Sequence, residues 1–345
     1  MPSRILWEEP MKRSIIYILF TILIAAGAFL IPRLIREYHE SSIMPTEETE
    51  PVVLESEFDR SLTLRIKFAD GVEEMSLQEY LIGVLSAEMP EDFPIEAQKA
   101  QAVAARTFAL KQSQARKHID ADVCTSPACC QGWSSNQNEI AAEAVLQTDG
   151  LVITYDNKLI DATYFSCCGS RTEAAVAVWG GEIPYLQSVE SPDESDAPRY
   201  SEEVVLDASY FAQTLTEHYP LIVLDGSPEN WFGKISYTRG GGIDTAQIGG
   251  VEISGTDLRT IFSLRSTQID FDLIGDDIRI TTYGFGHRVG MSQYGAKALA
   301  EADCKFDDIL KHYYQNIELQ QLCMKKTSPP NPEETLFFEA IKHPW

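Results

Sequence analysis

Residues 76–110 read SLQEYLIGVLSAEMPEDFPIEAQKAQAVAARTFAL, and this stretch decides how the chain is organised. Ser76 is followed three residues later by Glu79, which makes a capping box at the start of a helix. Apolar residues recur behind it at helical spacing, at Leu77, Leu81, Val84 and Leu85. After a turn, a second and alanine-rich helical pattern begins near Pro94. The segment therefore predicts two neighbouring helices that pack closely.

Glu88 continues the apolar stripe of the first helix, four residues after Val84. Pro90 helps to end that helix, so Glu88 is expected at its C-terminal tip. Burial disfavours the charged form of a carboxyl group and raises its pKa, as a general acid acting on a glycosidic oxygen requires. The alternative is a helix-end carboxylate that reaches solvent or pairs with Lys99 or Arg106. Periodicity alone favours that alternative.

The N-terminal region contains 18 uncharged, mostly apolar residues over 14–31, enough to span a bilayer. No small-residue cleavage site follows them, so an uncleaved anchor is expected, with a buried core helix as the weaker alternative. The predicted organisation is a cytoplasmic tail over 1–13, a transmembrane anchor over 14–31, an acidic linker over 32–57, an extracytoplasmic domain over 58–323 and a tail over 324–345.

The remaining sequence alternates short strands and short helices. LVITYDNKLIDATYFS over 151–166 reads as two strands around an Asp156-Asn157 turn, and residues 231–274 read as strands punctuated by glycines. Asp207 has the position of a helix N-cap. These patterns predict an α+β fold with antiparallel β hairpins, in which the helix pair carries Glu88 and one transmembrane helix precedes the domain.

The charge of the chain narrows the choice of partner. With 52 acidic and 28 basic residues, its formal net charge is −24. Such a charge argues against nucleic acid or anionic lipid as the main partner, whereas neutral sugar chains are compatible with it.

A cysteine-rich segment follows the helix pair. His118, Cys124, Cys129 and Cys130 fall within thirteen residues. Thiolates and imidazole are preferred zinc ligands, and four of them would close the coordination shell of a structural ion. Disulfides are the alternative, because cysteines outside the cytoplasm are commonly oxidised. Adjacent cysteines are poorly placed to pair with each other, which favours metal slightly.

Two further segments carry candidate binding residues. YFSCCGSRTE over 164–173 offers the hydroxyl groups of a sugar groove, and Trp179 is suited to stack on a pyranose ring. TYGFGHRVGMSQYGA over 282–296 is a glycine-rich loop whose backbone can approach a ligand closely. We predict that this loop lies beside Glu88. The alternatives are a hairpin exit and a packed turn, in which the polar groups only satisfy the backbone.

The run AEMPEDFPIEAQKAQAVAARTFAL over 87–110 resembles the signature of the stage II sporulation protein D family, whose members are peptidoglycan lytic transglycosylases. Glu88 occupies the position of the family's catalytic glutamate. The resemblance extends over roughly residues 52–322. The family's zinc site has the form His-x5-Cys-x4-His-Cys, and Cys129 stands where its second histidine is usual.

The two later segments resemble the family motifs Tyr-x-Ser-x-x-Gly-Gly-x-Thr and Gly-His-Gly-Val-Gly-Met-Ser-Gln-Tyr-Gly-Ala. Ser170 and Arg288 each replace a glycine of those motifs. A left-handed backbone angle at Arg288 would be costly. The residues expected to bind substrate are Arg106, Tyr164, Ser166, Thr172, His287, Gln293 and Tyr294.

The resemblance implies a single-pass protein of the bacterial cell membrane that cleaves the bond between N-acetylmuramic acid and N-acetylglucosamine. The expected product is a 1,6-anhydro end, formed during septal wall remodelling and engulfment in spore formation. Strands stripped of stem peptides are the implied substrate, and sporulation proteins P, an amidase, and M are the implied partners. The alternative is a non-catalytic, wall-binding activator of that amidase. Retention of Glu88 in its Ala-Glu-Met-Pro context favours the enzyme.

Overall fold

The computed structural model describes residues 57–323 and the backbone of one further strand, Ala340–Ile341. These residues fall within one compact unit that begins at residue 56. The predicted anchor over 14–31, nearly all of the acidic linker and most of the C-terminal tail lie outside the described residues. Within the described part, no helix combines the length and the apolar composition that a bilayer crossing requires.

The helices are distributed along the whole described part of the chain. They are α1 Phe58–Ser61, α2 Leu77–Glu88, α3 Ile95–Ala115, α4 Glu139–Gln147, α5 Ala175–Trp179, α6 Ala208–His218, α7 Gly255–Ile261, α8 Gln293–Glu301 and α9 Phe306–Tyr313. A 3-10 turn spans Pro228–Asn230.

The strands are short and belong to several small sheets. They are β1 Thr63–Lys67, β2 Val72–Ser76, β3 Val123–Cys124, β4 Leu151–Tyr155, β5 Lys158–Leu159, β6 Tyr164–Phe165, β7 Ser201–Leu206, β8 Phe232–Tyr237, β9 Ile243–Ile248, β10 Val251–Ser254, β11 Gln268–Ile274, β12 Asp277–Tyr283, β13 Met291–Ser292, β14 Glu318–Leu322 and β15 Ala340–Ile341.

The predicted helix pair is confirmed as α2 and α3. The backbone N–H of Glu79 donates to Ser76 Oγ at 3.1 Å, so the expected cap is formed. Glu88 is the last residue of α2, as expected from the turn that follows. The four apolar residues of the stripe, Leu77, Leu81, Val84 and Leu85, are fully buried. Buried alanines line α3, which packs against α2, α4, α8, α9 and β4 at the centre of the molecule.

The sheets are mainly antiparallel, and the α+β prediction is confirmed. β4 and β5 form the expected hairpin, with positive φ at Asp156 (50°) and Asn157 (58°), as its two-residue turn requires. Two pairings are parallel instead, β1 with β3 and β6 with β13. The second of these brings the segment at Tyr164 directly against the segment at Ser292.

Residues 201–283 form an insertion with its own apolar core. The antiparallel sheets β11-β12-β7 and β10-β9-β8 make up most of it, with α6 and α7. The insertion separates the two predicted binding segments in sequence. Its buried core includes Phe211, Leu215, Ile243, Ile248, Ile278 and Ile280.

Arg106 corrects a prediction, because it lies inside the protein and not in a binding groove. Its side chain is fully buried on α3, and its Nε donates to both carboxylate oxygens of Asp59 at 2.9 Å. The guanidinium also donates to the carbonyl oxygens of Val145 and Leu151. Burial raises the pKa of Asp59, and the Arg106 charge opposes that rise. Arg106 thus joins four segments of the chain and has no access to substrate.

Replacing Arg106 with methionine is therefore expected to destabilise the fold by about 3–5 kcal/mol, because Asp59 would be left buried without its partner. Urea denaturation measures this loss. The control is Arg279→Met, which removes an exposed pair with Asp272 and should cost less than about 1 kcal/mol. Equal losses in the two variants, or weaker substrate binding by folded Arg106→Met protein, would contradict the assignment.

Candidate active site

A cleft of about 1190 Å³ opens at the C-terminal tip of α2. Its walls come from that tip, the cysteine-rich loop, β6 and the segments on either side of β13. The side-chain amide of Gln293 donates to Glu88 Oε2 at 3.5 Å, although the two residues are 205 positions apart. The prediction that the glycine-rich loop lies beside Glu88 is confirmed.

The Glu88 carboxyl group is partly buried and receives two hydrogen bonds. The backbone N–H of Gly132 donates to Oε1 at 2.8 Å, and the longer bond from Gln293 reaches Oε2. Burial raises the pKa of Glu88, and the two hydrogen bonds oppose that rise because they favour the carboxylate. Glu88 is thus protonated to a greater extent near neutral pH than an exposed glutamate, and its carboxylate is also accommodated. A residue that acts first as an acid and then as a base must be stable in both the protonated and the carboxylate form.

Gly132 is a site residue that sequence reasoning missed. A Cβ atom at this position would lie 2.9 Å from Glu88 Oε1, so a larger residue would push the carboxyl group away. Its neighbour Gln131 is buried, and its side-chain amide hydrogen-bonds to two tyrosines. Gln131 donates to the Tyr164 hydroxyl at 2.9 Å and accepts from the Tyr80 hydroxyl at 3.2 Å. The only signal in the sequence was a Gln-Gly-Trp run directly after the paired cysteines.

Aromatic side chains form the wall beyond Glu88. The His287 ring lies 5.4 Å from the Trp179 ring and 5.8 Å from the Phe165 ring, measured between centroids. Burial, helped by the charge of Arg259, lowers the pKa of His287 to about 4. The imidazole is therefore neutral near pH 7, and its Nδ1 accepts from the backbone N–H of Val289. A neutral, oriented ring suits contact with a hydroxyl group better than proton transfer.

A second buried carboxyl group supports the helix that carries Gln293. Ser292 caps α8 by accepting from the N–H of Gly295, and its hydroxyl donates to Glu194 Oε2 at 2.7 Å. The backbone N–H of Cys168 donates to the same carboxylate oxygen at 2.8 Å. Burial raises the pKa of Glu194, and these bonds oppose the rise. Glu194 comes from a polar loop with no periodicity, so the sequence did not indicate this role.

Five of the residues predicted to bind substrate line the cleft together with Trp179. They are Tyr164, Ser166, His287, Gln293 and Tyr294. Thr172 does not line it and corrects the prediction. Its hydroxyl is fully buried and accepts from the N–H of Val189 at 2.9 Å, between the β-bridges of Arg171 and Glu173. Arg106 is likewise outside the cleft, for the reason given above.

Carboxyl groups are scarce in the cleft. Among the described residues that line it, only Glu88 and Asp161 carry one. Asp161 forms an ion pair with Lys111 at 2.9 Å and accepts from the Tyr185 hydroxyl. Glu88 is therefore the only one of the two that is free of a cation.

The predicted metal ligands come together at the edge of the same cleft. The donor atoms of His118, Cys124, Cys129 and Cys130 all lie within 4.8 Å of one another. His118 Nε2 is 3.3 Å from Cys130 Sγ and 3.9 Å from Cys129 Sγ, and the cysteines are free thiols. Three sulfurs and one imidazole nitrogen at this spacing fit a tetrahedral zinc ion.

Arg288 has the left-handed backbone that the sequence marked as costly, with φ of 63°. Its guanidinium is buried, donates to the carbonyl oxygens of Gly240 and Arg171, and lies 3.5 Å from Glu173 Oε1. These contacts connect the glycine-rich loop to the turn over 238–242.

The chain is similar to known sporulation proteins. Residues 67–155 match a family model described as stage II sporulation protein. Stage II sporulation protein D of Bacillus subtilis (strain 168) is 38% identical over 268 residues, which cover 73% of this chain and 76% of that protein. Its counterpart in Bacillus amyloliquefaciens is 37% identical over 297 residues, 81% of this chain and 84% of that protein.

A more distant relative has a different name. The amidase enhancer of Bacillus subtilis (strain 168) is 28% identical over 291 residues, which cover 69% of this chain and 40% of that protein. The extent and level of identity to the two Bacillus sporulation proteins decide the assignment. The chain belongs to the stage II sporulation protein D family.

Proposed function

We propose that this sporulation-family protein is a peptidoglycan lytic transglycosylase with Glu88 as its catalytic acid and base. The observation that carries the proposal is a partly buried carboxyl group of raised pKa, held by Gly132 and Gln293 in a cleft of about 1190 Å³. The cleft offers aromatic rings and hydroxyl groups, the surfaces that bind sugars.

In the proposed reaction, protonated Glu88 donates its proton to the glycosidic oxygen as the bond from C1 of N-acetylmuramic acid breaks. The resulting carboxylate then accepts the proton of the C6 hydroxyl, whose oxygen closes on C1. The product is a 1,6-anhydro sugar, and Glu88 regains its proton. A hydrolytic glycosidase would need a second placed carboxyl group, and Asp161 is occupied by Lys111.

The residues around Glu88 have two roles in this reaction: they stabilise its carboxylate form and they orient the glycan strand. The N–H of Gly132 and the amide of Gln293 stabilise the carboxylate formed after the first transfer. The neutral ring of His287, with Tyr164 and Tyr294, orients the strand so that the C6 hydroxyl faces Glu88.

We also propose that His118, Cys124, Cys129 and Cys130 hold one structural zinc ion. With four protein ligands, the ion would supply a fixed loop conformation and no activated water. Cys130 precedes Gly132 by two residues, so a bound ion would hold the segment that donates to Glu88.

By family resemblance, the proposed setting is the bacterial cell membrane, with the domain outside the cytoplasm and facing the septal space during engulfment. Stripped glycan strands, the sporulation amidase P and the membrane protein M are the proposed partners, and nucleic acid is not. The second candidate function is a non-catalytic activator of that amidase, which the similarity to the amidase enhancer favours.

Replacing Glu88 with glutamine is expected to lower strand cleavage by at least about a thousandfold, because an amide cannot donate an acidic proton. Mass spectrometry of anhydro ends released from purified strands measures this. Strand binding by the folded variant should persist. Undiminished release by Glu88→Gln protein would refute the assignment, and no release by the native protein would favour the amidase activator.

The Gln293→Leu variant tests the electrostatics of Glu88. Loss of a donor to the carboxylate raises the pKa of Glu88 further. Cleavage requires protonated Glu88 and declines as pH rises through this pKa, so the alkaline limb of kcat/KM should move to higher pH. Gln213→Leu on the surface of α6 is the control and should leave the limb in place. A limb that stays or moves to lower pH in Gln293→Leu protein would contradict the role.

The zinc proposal predicts one ion per chain in protein purified without chelator, measured by elemental analysis. Cys130→Ser should remove the ion and lower Tm, with a smaller loss of turnover per folded molecule. Cys323→Ser, at an exposed thiol outside the cluster, should change neither. Metal-free protein with the cluster thiols lost to disulfides would support the alternative instead.

A further inference from the structure

The charge of the cleft is opposite to the charge of the chain. The basic side chains Lys117, Arg199 and Arg259 line the cleft, and the lining carboxyl groups are limited to Glu88 and the neutralised Asp161 among the described residues. A protein of net charge −24 thus presents a locally positive groove. Local fields of this kind select the charge of a ligand even where the overall charge opposes it.

Both arginines, Arg199 and Arg259, lack a carboxylate partner within the described part of the chain. Arg199 is exposed, and its Cζ lies 5.1 Å from the centre of the Phe285 ring. Arg259, on α7, is partly buried, and its Nε makes a long bond of 3.4 Å to the carbonyl oxygen of Leu264. Arg265 makes a useful contrast, since it also approaches Phe285 but pairs with Glu202 at 2.8 Å.

Partial burial of Arg259 without a counter-charge is unfavourable. Arg259 and His287 line the cleft and also share a smaller adjoining pocket, so the two side chains are neighbours. An anionic ligand group between Arg199 and Arg259 would remove this cost. Arginine is suited to carboxylate because its planar donors can bind both oxygens.

We propose that Arg199 and Arg259 form an anion subsite that binds the free carboxylate of a muramic acid residue in the glycan strand. The inference rests on the proposed function and deepens it. Muramic acid carries a lactyl ether at O3, and its carboxyl group is free only after the stem peptide has been removed. The subsite therefore supplies a physical reason for the protein to select stripped strands. It replaces the expectation, drawn from the net charge, that the bound sugar chain is neutral.

Binding measurements with full-length Glu88→Gln protein test the subsite without interference from cleavage. The probes are stripped strands, stripped strands whose carboxyl groups have been converted to neutral methylamides, and strands that retain their peptides. We expect Arg199→Gln and Arg259→Gln each to weaken binding of stripped strands about tenfold, the effect of losing a charge-assisted hydrogen bond. The methylamide strands should bind weakly and respond to neither substitution.

Two control variants separate a specific subsite from a general charge effect. Arg259→Lys should recover part of the affinity, because it keeps the charge but loses the planar donors. Arg239→Gln removes an exposed arginine that has no carboxylate partner among the described residues and does not line the cleft, so it should leave binding unchanged.

Three results would overturn the subsite: methylamide strands that bind as tightly as stripped strands, an equal loss in Arg239→Gln protein, or unchanged binding in both arginine variants. Tight binding of peptide-bearing strands that is lost in the arginine variants would reassign the subsite to a peptide carboxylate and reject the lactyl group. Because the readout is binding, a native protein that releases no anhydro ends would refute the proposed reaction while leaving the subsite to stand.

Discussion

The contact of the Glu88 carboxyl group with Gly132 and Gln293 is the interaction on which the site depends. Three separate parts of the chain meet there: the end of α2, the loop after the cysteine cluster and the start of α8. Each oxygen of one carboxyl group receives a donor from a different segment. The position of Glu88 in the cleft, and the balance between its acid and carboxylate forms, are consequently properties of the assembled domain and not of the helix alone.

Each of the two donors has its own support. The loop of Gly132 follows the clustered side chains of His118, Cys124, Cys129 and Cys130, where a bound metal ion would constrain the chain just before it. Gln293 begins α8, whose cap Ser292 is held by the buried carboxyl group of Glu194 and by the short parallel pairing of β13 with β6. The pairing also fixes Tyr164 on the opposite strand. The two supports are connected, because Gln131, next to Gly132, donates to the Tyr164 hydroxyl.

Local signals in the sequence predicted the helix pair, the hairpin at Asp156 and the buried stripe that ends at Glu88, because periodicity and caps are encoded within a few residues. The grouping of the proposed metal ligands and the position of the loop beside Glu88 were predicted with the help of the family resemblance. Arg106 was misassigned because its partner Asp59 lies 47 residues away, and only the assembled core shows that both are buried. Gly132 and Glu194 were missed for the same reason: their roles arise from tertiary contacts.

The contacts of Arg288 hold the inserted residues 201–283 against the cleft. A left-handed backbone at a residue other than glycine costs on the order of 1–2 kcal/mol, yet it directs this guanidinium into the interior, where it donates to the Gly240 carbonyl oxygen. Glu173 receives the N–H of Gly242 and the hydroxyl of Thr238, and a Cβ at Gly240 would lie 2.5 Å from its carboxyl group. The turn over 238–242 is thus held to the glycine-rich loop by the buried pair of Arg288 and Glu173. Since α7 belongs to the same insertion, this contact fixes the wall of the cleft that carries Arg259.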